Sequence, residues 1–255
     1  MAQPTYTVHA LVLRRTKLGE SDLILTLLAE DGSQKRVVAK GARKTKSSFA
    51  ARTEPFCVID ALCARGRSLD ILKEARLTSA HSALRQDLEA SSAASPLLEL
   101  LGRVSQSDLE NPRLFAATAK VLKVMDGADN PHRAALAAAH LLKTLAFSGL
   151  RPSLEVCVGC GASVNFPDGG TVPFSAIEGG VVCADCRPSL ETVPIDAAAL
   201  CWAQYFLTST FEAIAEGSED LSATFAVLHL VQSLVRAHIG SPLKSLEFLF
   251  TSGLF

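Results

Sequence analysis

Residues 6–42 run YTVHALVLRRTKLGESDLILTLLAEDGSQKRVVAKGA. Three short β-rich segments stand out in it, 6–15, 22–30 and 33–42, and EDGS at 30–33 is a turn signal between the last two. PFCVIDALCA (55–64) and SLDILKEARL (68–77) continue the pattern, parted by ARGRS with Gly66 at its centre. Five strands in about 80 residues with hairpin-like links suit a small Greek-key barrel of the OB (oligonucleotide/oligosaccharide-binding) type. A sandwich fragment has the same strand count, so counting alone leaves both open.

Beyond residue 80 the pattern turns helical. Ser95-Pro96, Asn111-Pro112 and Asn130-Pro131 each place a polar cap before proline, whose missing N–H is harmless in a first helical turn, so each predicts a helix start. Gly149 is expected to close the third helix, with Pro152 beyond it. Residues 150–194 hold six glycines and five prolines, too many for a helix. Helical periodicity resumes over 196–215 and 222–239. The expected organisation is α+β: a five-stranded domain over 1–80, then an α-helical domain over 81–255 with an insertion at 150–194.

The net charge of −1 conceals a division. Residues 1–80 carry a net +6 and residues 81–255 a net −7, an asymmetry that points the basic part toward an anionic partner. Between Gly32 and Thr53 there is no acid, but there are seven bases: Lys35, Arg36, Lys40, Arg43, Lys44, Lys46 and Arg52. Arg14, Arg15 and Lys17 close the first strand. Such a strand-and-loop surface suits tracking of a phosphate backbone, against the plainer reading of a solvated loop. Aromatic residues are few in 1–80, namely Tyr6, Phe49 and Phe56. Backbone electrostatics should therefore dominate, with Phe49 the candidate for base stacking and Tyr6 and Phe56 assigned to the core.

The insertion carries CVGC at 157–160 and CADC at 183–186, two CxxC pairs 22 residues apart. Two such knuckles supply the four sulfurs of a zinc tetrahedron, and FPDGGTVPFSAIEGGVV between them reads as a short hairpin arm. One structural zinc on Cys157, Cys160, Cys183 and Cys186 is the expectation. A thioredoxin-like redox pair normally stands once, at a helix start. A deaminase would pair HxE with PCxxC, and none of the six histidines has a glutamate two residues on. Cys57, Cys63 and Cys201 sit in apolar contexts, suiting a reducing compartment. His140 and His229 lie among apolar helical residues and are read as structural. The N-terminus makes a poor signal peptide, and no apolar run approaches the ~18–20 residues of a membrane span, so the expectation is a cytoplasmic protein.

In this order, VLRRTKLGESDLILTLLAEDGSQKRVVAKGARKTKSSF (12–49), the cysteine pairs and RAHIGSPLKSLEFL (236–249) resemble the RecO family of bacterial recombination and repair mediators. The resemblance implies an N-terminal OB-fold, a helical domain and a zinc-ribbon-like insertion. It also implies a protein of the RecF pathway that binds single- and double-stranded DNA, anneals complementary strands and helps load recombinase onto DNA coated by single-stranded DNA-binding protein (SSB). RecR, RecF in some species, and the C-terminal tail of SSB are the partners it implies. The recombinase filament is met indirectly, in association with the nucleoid, with no membrane and no catalysis. His238, Lys244 and Ser245 match its C-terminal motif, and the cations Arg236, His238 and Lys244 are candidates for contact with DNA or the SSB tail; a helix end with well-placed cations is the equal alternative. Two rivals from other classes are a zinc-containing enzyme acting on nucleic acid and a protein-only adaptor with an incidental basic loop. Neither a GxxxxGK[ST] loop nor HExxH nor GxSxG occurs.

Overall fold

A computed structural model describes residues 4–166, 169–218 and 220–255. Met1–Gln3, Glu219, and Pro167 and Asp168 of the expected hairpin arm lie outside the described residues. The chain forms two compact units, Met1–Ser91 with Leu97–Asp126, and Ser92–Pro96 with Gly127–Phe255.

The first unit is built on a closed barrel of β1 (Thr5–Leu18), β2 (Asp22–Ala29), β3 (Gln34–Ala39), β4 (Val58–Ala64) and β5 (Asp70–Ser79). Its ring order is β1-β2-β3-β5-β4, with β4 returning to β1. All pairings are antiparallel except β3–β5, which are parallel through Val37↔Asp70 and Val38↔Ile71. That crossover is the OB topology, and it excludes the sandwich fragment that strand counting left open. Alternate residues fill the interior: Ala10, Val12, Leu25, Leu27, Val37, Ala39, Ile59, Ala61, Cys63 and Leu72. The alanines and cysteines keep the filling small enough for a narrow barrel. Burial pushes the Cys63 thiol up to about 11 and raises that of Cys57, so both stay neutral thiols. Phe56 is buried, and Tyr6 is half-buried with its hydroxyl on Asp70 Oδ2 at 2.5 Å.

Gly32, in the β2–β3 turn, has φ +80, and a Cβ there would stand 1.9 Å from the Asn111 carbonyl oxygen. Only glycine admits this approach, in which the Asn111 N–H donates to Asp31 O at 2.9 Å.

Helices α1 (Ser82–Gln86), α2 (Leu88–Val104), α3 (Pro112–Gly127) and α4 (Asn130–Phe147) follow. The expected start at Ser95-Pro96 is wrong. α2 begins seven residues before Ser95, where the Asp87 carboxylate accepts the Ala90 N–H at 2.8 Å, and Pro96 lies inside the helix. α3 starts at Pro112 as expected, while α4 is capped by Asp129, one residue before the predicted cap. Gly149, at φ +82, ends the α4 segment.

α4 is the centre of the second unit, with every residue from Ala134 to Leu142 buried. A helix apolar on all sides belongs inside a bundle. It packs on α5 (Ala197–Thr208), α6 (Phe211–Glu216) and α7 (Leu221–Ile239). The run 196–215, read as one helix, is two, because Ser209 leaves the helix and Thr210 recaps through the Ala213 N–H at 3.2 Å. α8 (Lys244–Thr251) closes the chain. Buried Gln232 fixes the α7–α8 turn by donating to Leu243 O (3.1 Å) and accepting its N–H (2.9 Å). The insertion forms a three-stranded sheet, β7-β6-β8, from β6 (Thr171–Ser175), β7 (Gly180–Val181) and β8 (Val193–Asp196).

Candidate nucleic-acid interface and metal centre

The metal centre is assembled by backbone. At Cys157–Gly161 the chain turns so that the Gly161 N–H donates to Cys157 O at 2.8 Å, with Gly161 at φ +76. Cys157 N–H reaches Ala162 O (2.8 Å) and Val158 N–H reaches Val181 O (3.0 Å), tying one knuckle to the strand that leads into the other. A Cβ on Gly159 would come 3.0 Å from Cys186 Sγ, so glycine lets the second knuckle close in. The Sγ atoms of Cys157, Cys160, Cys183 and Cys186 all lie within 4.8 Å of one another, and those of Cys160 and Cys183 are 3.7 Å apart. A tetrahedral zinc with Zn–S near 2.3 Å needs sulfurs about 3.8 Å apart, so the donor set fits. Its electrostatics fit too. The Cys183 N–H, on Cys157 Sγ at 3.3 Å, is foremost in drawing that thiol down to about 6. Cys186 is pushed up to about 12 by its neighbouring thiols, Cys160 first. Four thiols this close cannot all ionise alone; a dication removes the conflict.

The basic segment leaves β3 and crosses to β4 as a loop over residues 40–57. Arg14, Arg15, Arg36, Lys40, Arg43, Lys44, Lys46 and Arg52 are exposed and Lys35 is half-buried. β1 carries a bulge between Val12 and Arg14, where its pairing to β2 shifts register just before both arginines. A cavity of about 540 Å³ brings together Arg15, Lys17, Arg43 and Lys44, with no acid in its lining among the described residues. A second groove, of about 720 Å³ on β4 and β5, takes Phe49 and Arg52 together with Lys73, Arg76, Asp60 and Glu74. Phe49 is packed against the barrel core as well as facing this groove. Arg14, Lys35, Arg36, Lys40 and Lys46 line neither cavity. Two of the arginines also hold the loop: Arg15 donates to Ala50 O at 3.4 Å and Arg52 to Ala75 O at 3.2 Å. Glu54 pairs with Arg15 at 3.7 Å and with Arg85.

Sequence reasoning left Lys73 and Arg76 out of the candidate surface. They belong to KEAR in a strand of mixed charge, and only the cross-strand pairing Asp60↔Arg76 shows that they face the groove. Arg236 and His238 lie exposed in the last turn of α7, and Lys244 is exposed in the first turn of α8. The His238 ring abuts the β6–β7 turn, where a Cβ on Gly179 would stand 3.5 Å from Nε2. In the following LEFLF segment Leu246 and Leu249 are buried and Phe248 is half exposed. His140 is fully buried, whereas His229 is exposed and stacked on Phe250 at 3.9 Å. No helix among the described residues is long and apolar enough to cross a membrane.

An OB barrel with a cation-lined cavity, followed by a helical unit that carries a four-cysteine ribbon, defines a two-part class of OB-fold protein. The family model described as Recombination protein O N terminal matches residues 1–81, and that described as Recombination protein O C terminal matches residues 85–247. The chain belongs to the recombination protein O family. It is 31% identical over 251 residues, 96% of this chain and 98% of the relative, to a DNA repair protein RecO of Bifidobacterium longum. It is 36% identical over 192 residues, 72% and 75% of the two chains, to that of Cutibacterium acnes. The protein of the same name from Bifidobacterium adolescentis is 37% identical over 198 residues, 76% and 79%.

Proposed function

We propose that this chain is a non-enzymatic DNA repair and recombination mediator. It binds single- and double-stranded DNA through phosphates, anneals complementary strands and helps load recombinase onto SSB-coated single strands. The observation that carries the reading is the acid-free cavity at which Arg15 and Lys17 from β1 meet Arg43 and Lys44 from the loop. Such a cluster neutralises phosphates without reading bases. Annealing follows when two strands are neutralised on one surface and no longer repel. Arg14, Lys35, Arg36, Lys40, Lys46, Phe49 and Arg52 extend the DNA surface of the 1–80 domain. The acidic 81–255 domain docks RecR, RecF where it takes part, and the SSB tail, the last beside Arg236, His238 and Lys244. Zinc on the four cysteines folds the 150–194 insertion and performs no chemistry, because four sulfurs leave no open position. The setting is the cytoplasm, at the nucleoid.

The test is single-strand affinity against salt, with and without SSB, for Lys35→Glu, Arg43→Glu and Lys44→Glu combined. A clear loss is expected, with a salt slope shallower by roughly one unit per phosphate contact removed. Unchanged affinity at low salt would favour a protein-only adaptor. Nucleic-acid turnover dependent on Cys157 or Cys183 would favour the enzyme.

A further inference from the structure

The Gly19-Glu20-Ser21-Asp22 turn joins β1 to β2 and places an acid among the loop's cations. On electrostatics alone that acid opposes phosphate binding, so its position calls for another cause. Asp22 Oδ1 accepts the Gly41 N–H at 2.7 Å and the Ser21 hydroxyl at 2.9 Å. The Ser21 carbonyl accepts the Arg43 N–H at 2.9 Å, and the Gly19 carbonyl accepts Arg43 Nη1 at 3.0 Å. The turn thus grips the basic loop by two backbone amides and one guanidinium, at the point where the chain leaves the last β2–β3 pair, Leu23↔Ala39. Gly41 takes φ +65 to present its amide, in the left-handed region that glycine enters readily. A Cβ there would meet nothing closer than Lys44 Cδ at 3.6 Å, so the demand is on the backbone and not on space.

We infer that Asp22 is a positioning residue for DNA binding: it sets the start of the 40–57 loop so that Arg43 and Lys44 face Arg15 and Lys17 across the cavity. The inference rests on the proposed phosphate-binding role of that cavity. Two effects of opposite sign make it testable. Asp22→Ala and Asp22→Asn both remove a negative charge, but only asparagine keeps an oxygen to accept the Gly41 N–H.

The probe is a fluorescent oligothymidylate titrated with the full chain at several salt concentrations, alongside thermal melts and amide exchange at Gly41. Asp22→Ala is expected to bind about tenfold more weakly, with a shallower salt slope and faster Gly41 exchange, while the barrel still melts cooperatively. Asp22→Asn is expected to bind within about twofold of the native chain, or tighter, with its slope kept. Equal tightening by both variants would mean that Asp22 acts through charge alone, and the inference falls. If Asp22→Ala loses its cooperative melt, Gly41→Val carries the test, since it alters the same contact and no charge. Weakened binding by Gly41→Val supports the inference, and native affinity overturns it. Failure of the Lys35, Arg43 and Lys44 reversals to weaken binding is a separate result, which removes the proposed function itself.

Discussion

His140 stands fully buried between Phe211, whose ring centroid is 6.3 Å away, and Thr144, whose Oγ1 lies 3.4 Å from Nδ1. Burial first, and Lys143 second, pull its pKa down to about 3. The unfolded chain therefore takes up a proton below pH 6.5 that the folded chain refuses. Stability then falls by about 1.4 kcal/mol for each pH unit on the way down. Urea midpoints for native and His140→Leu chains between pH 6.5 and 4.5 check this: the native slope is expected to flatten in the variant. That window stays above the titration of Asp22, Asp31, Asp70 and Asp129, whose carboxyls are held low by hydrogen bonds and nearby cations. Gly32→Ala is the sharpest single-residue test of the first unit. It sets a Cβ against the Asn111 backbone at positive φ and is expected to destabilise by about 3 kcal/mol in chemical denaturation. The sequence marks Gly32 as a turn residue through EDGS, but what the glycine touches depends on a residue 79 positions later.

At the scale of elements, legibility follows the range of the forces involved. β1 to β5 announce themselves through alternation and turn residues, because each strand's burial is written along its own length. Their order is not written there: the parallel β3–β5 contact rests on Val37↔Asp70 and Val38↔Ile71, more than 30 residues apart. The helix starts divide in the same way. Pro112 begins α3 because nothing upstream competes, whereas Pro96 is overridden once Asp87 caps a helix whose buried face, including Ala90, Ala93 and Ala94, precedes the proline. The gathering of the four cysteines was legible from the CxxC spacing, whereas the pairing of β6 with β8, a strand from beyond the second cysteine pair, was not. Ser substitution at Cys157 and Cys183 together is expected to abolish zinc retention on desalting and to unfold the insertion, while the barrel's melt is kept; metal analysis and circular dichroism read the two effects.

For the whole molecule, the division of charge is the feature with the longest reach. A DNA surface confined to the basic first 80 residues predicts that 1–80 substitutions set the salt slope. Arg236→Glu and Lys244→Glu should leave that slope within about half a unit of native while weakening capture of an SSB-tail peptide. Fluorescence anisotropy with DNA and with the peptide separates the two. The loop cations were plain in the sequence as a run. Their sorting into an acid-free cavity and a mixed groove was not, because it depends on which strands the loop crosses.

Strand β1 lies between β2 and β4, sharing Ala10↔Ala29 with one and Ala10↔Ile59 with the other. During synthesis its second neighbour is still absent when the first hairpin can already form. Thr5 to Leu11 must wait with one open edge until their partners Val58 to Ala64 have left the ribosome and the barrel can shut. In that interval the nascent chain offers a bare strand edge to any other strand nearby. The loop that follows β3 leaves Lys40, Arg43, Lys44, Lys46 and Arg52 exposed, and like charges of this kind are expected to hold neighbouring chains apart while that edge stands open.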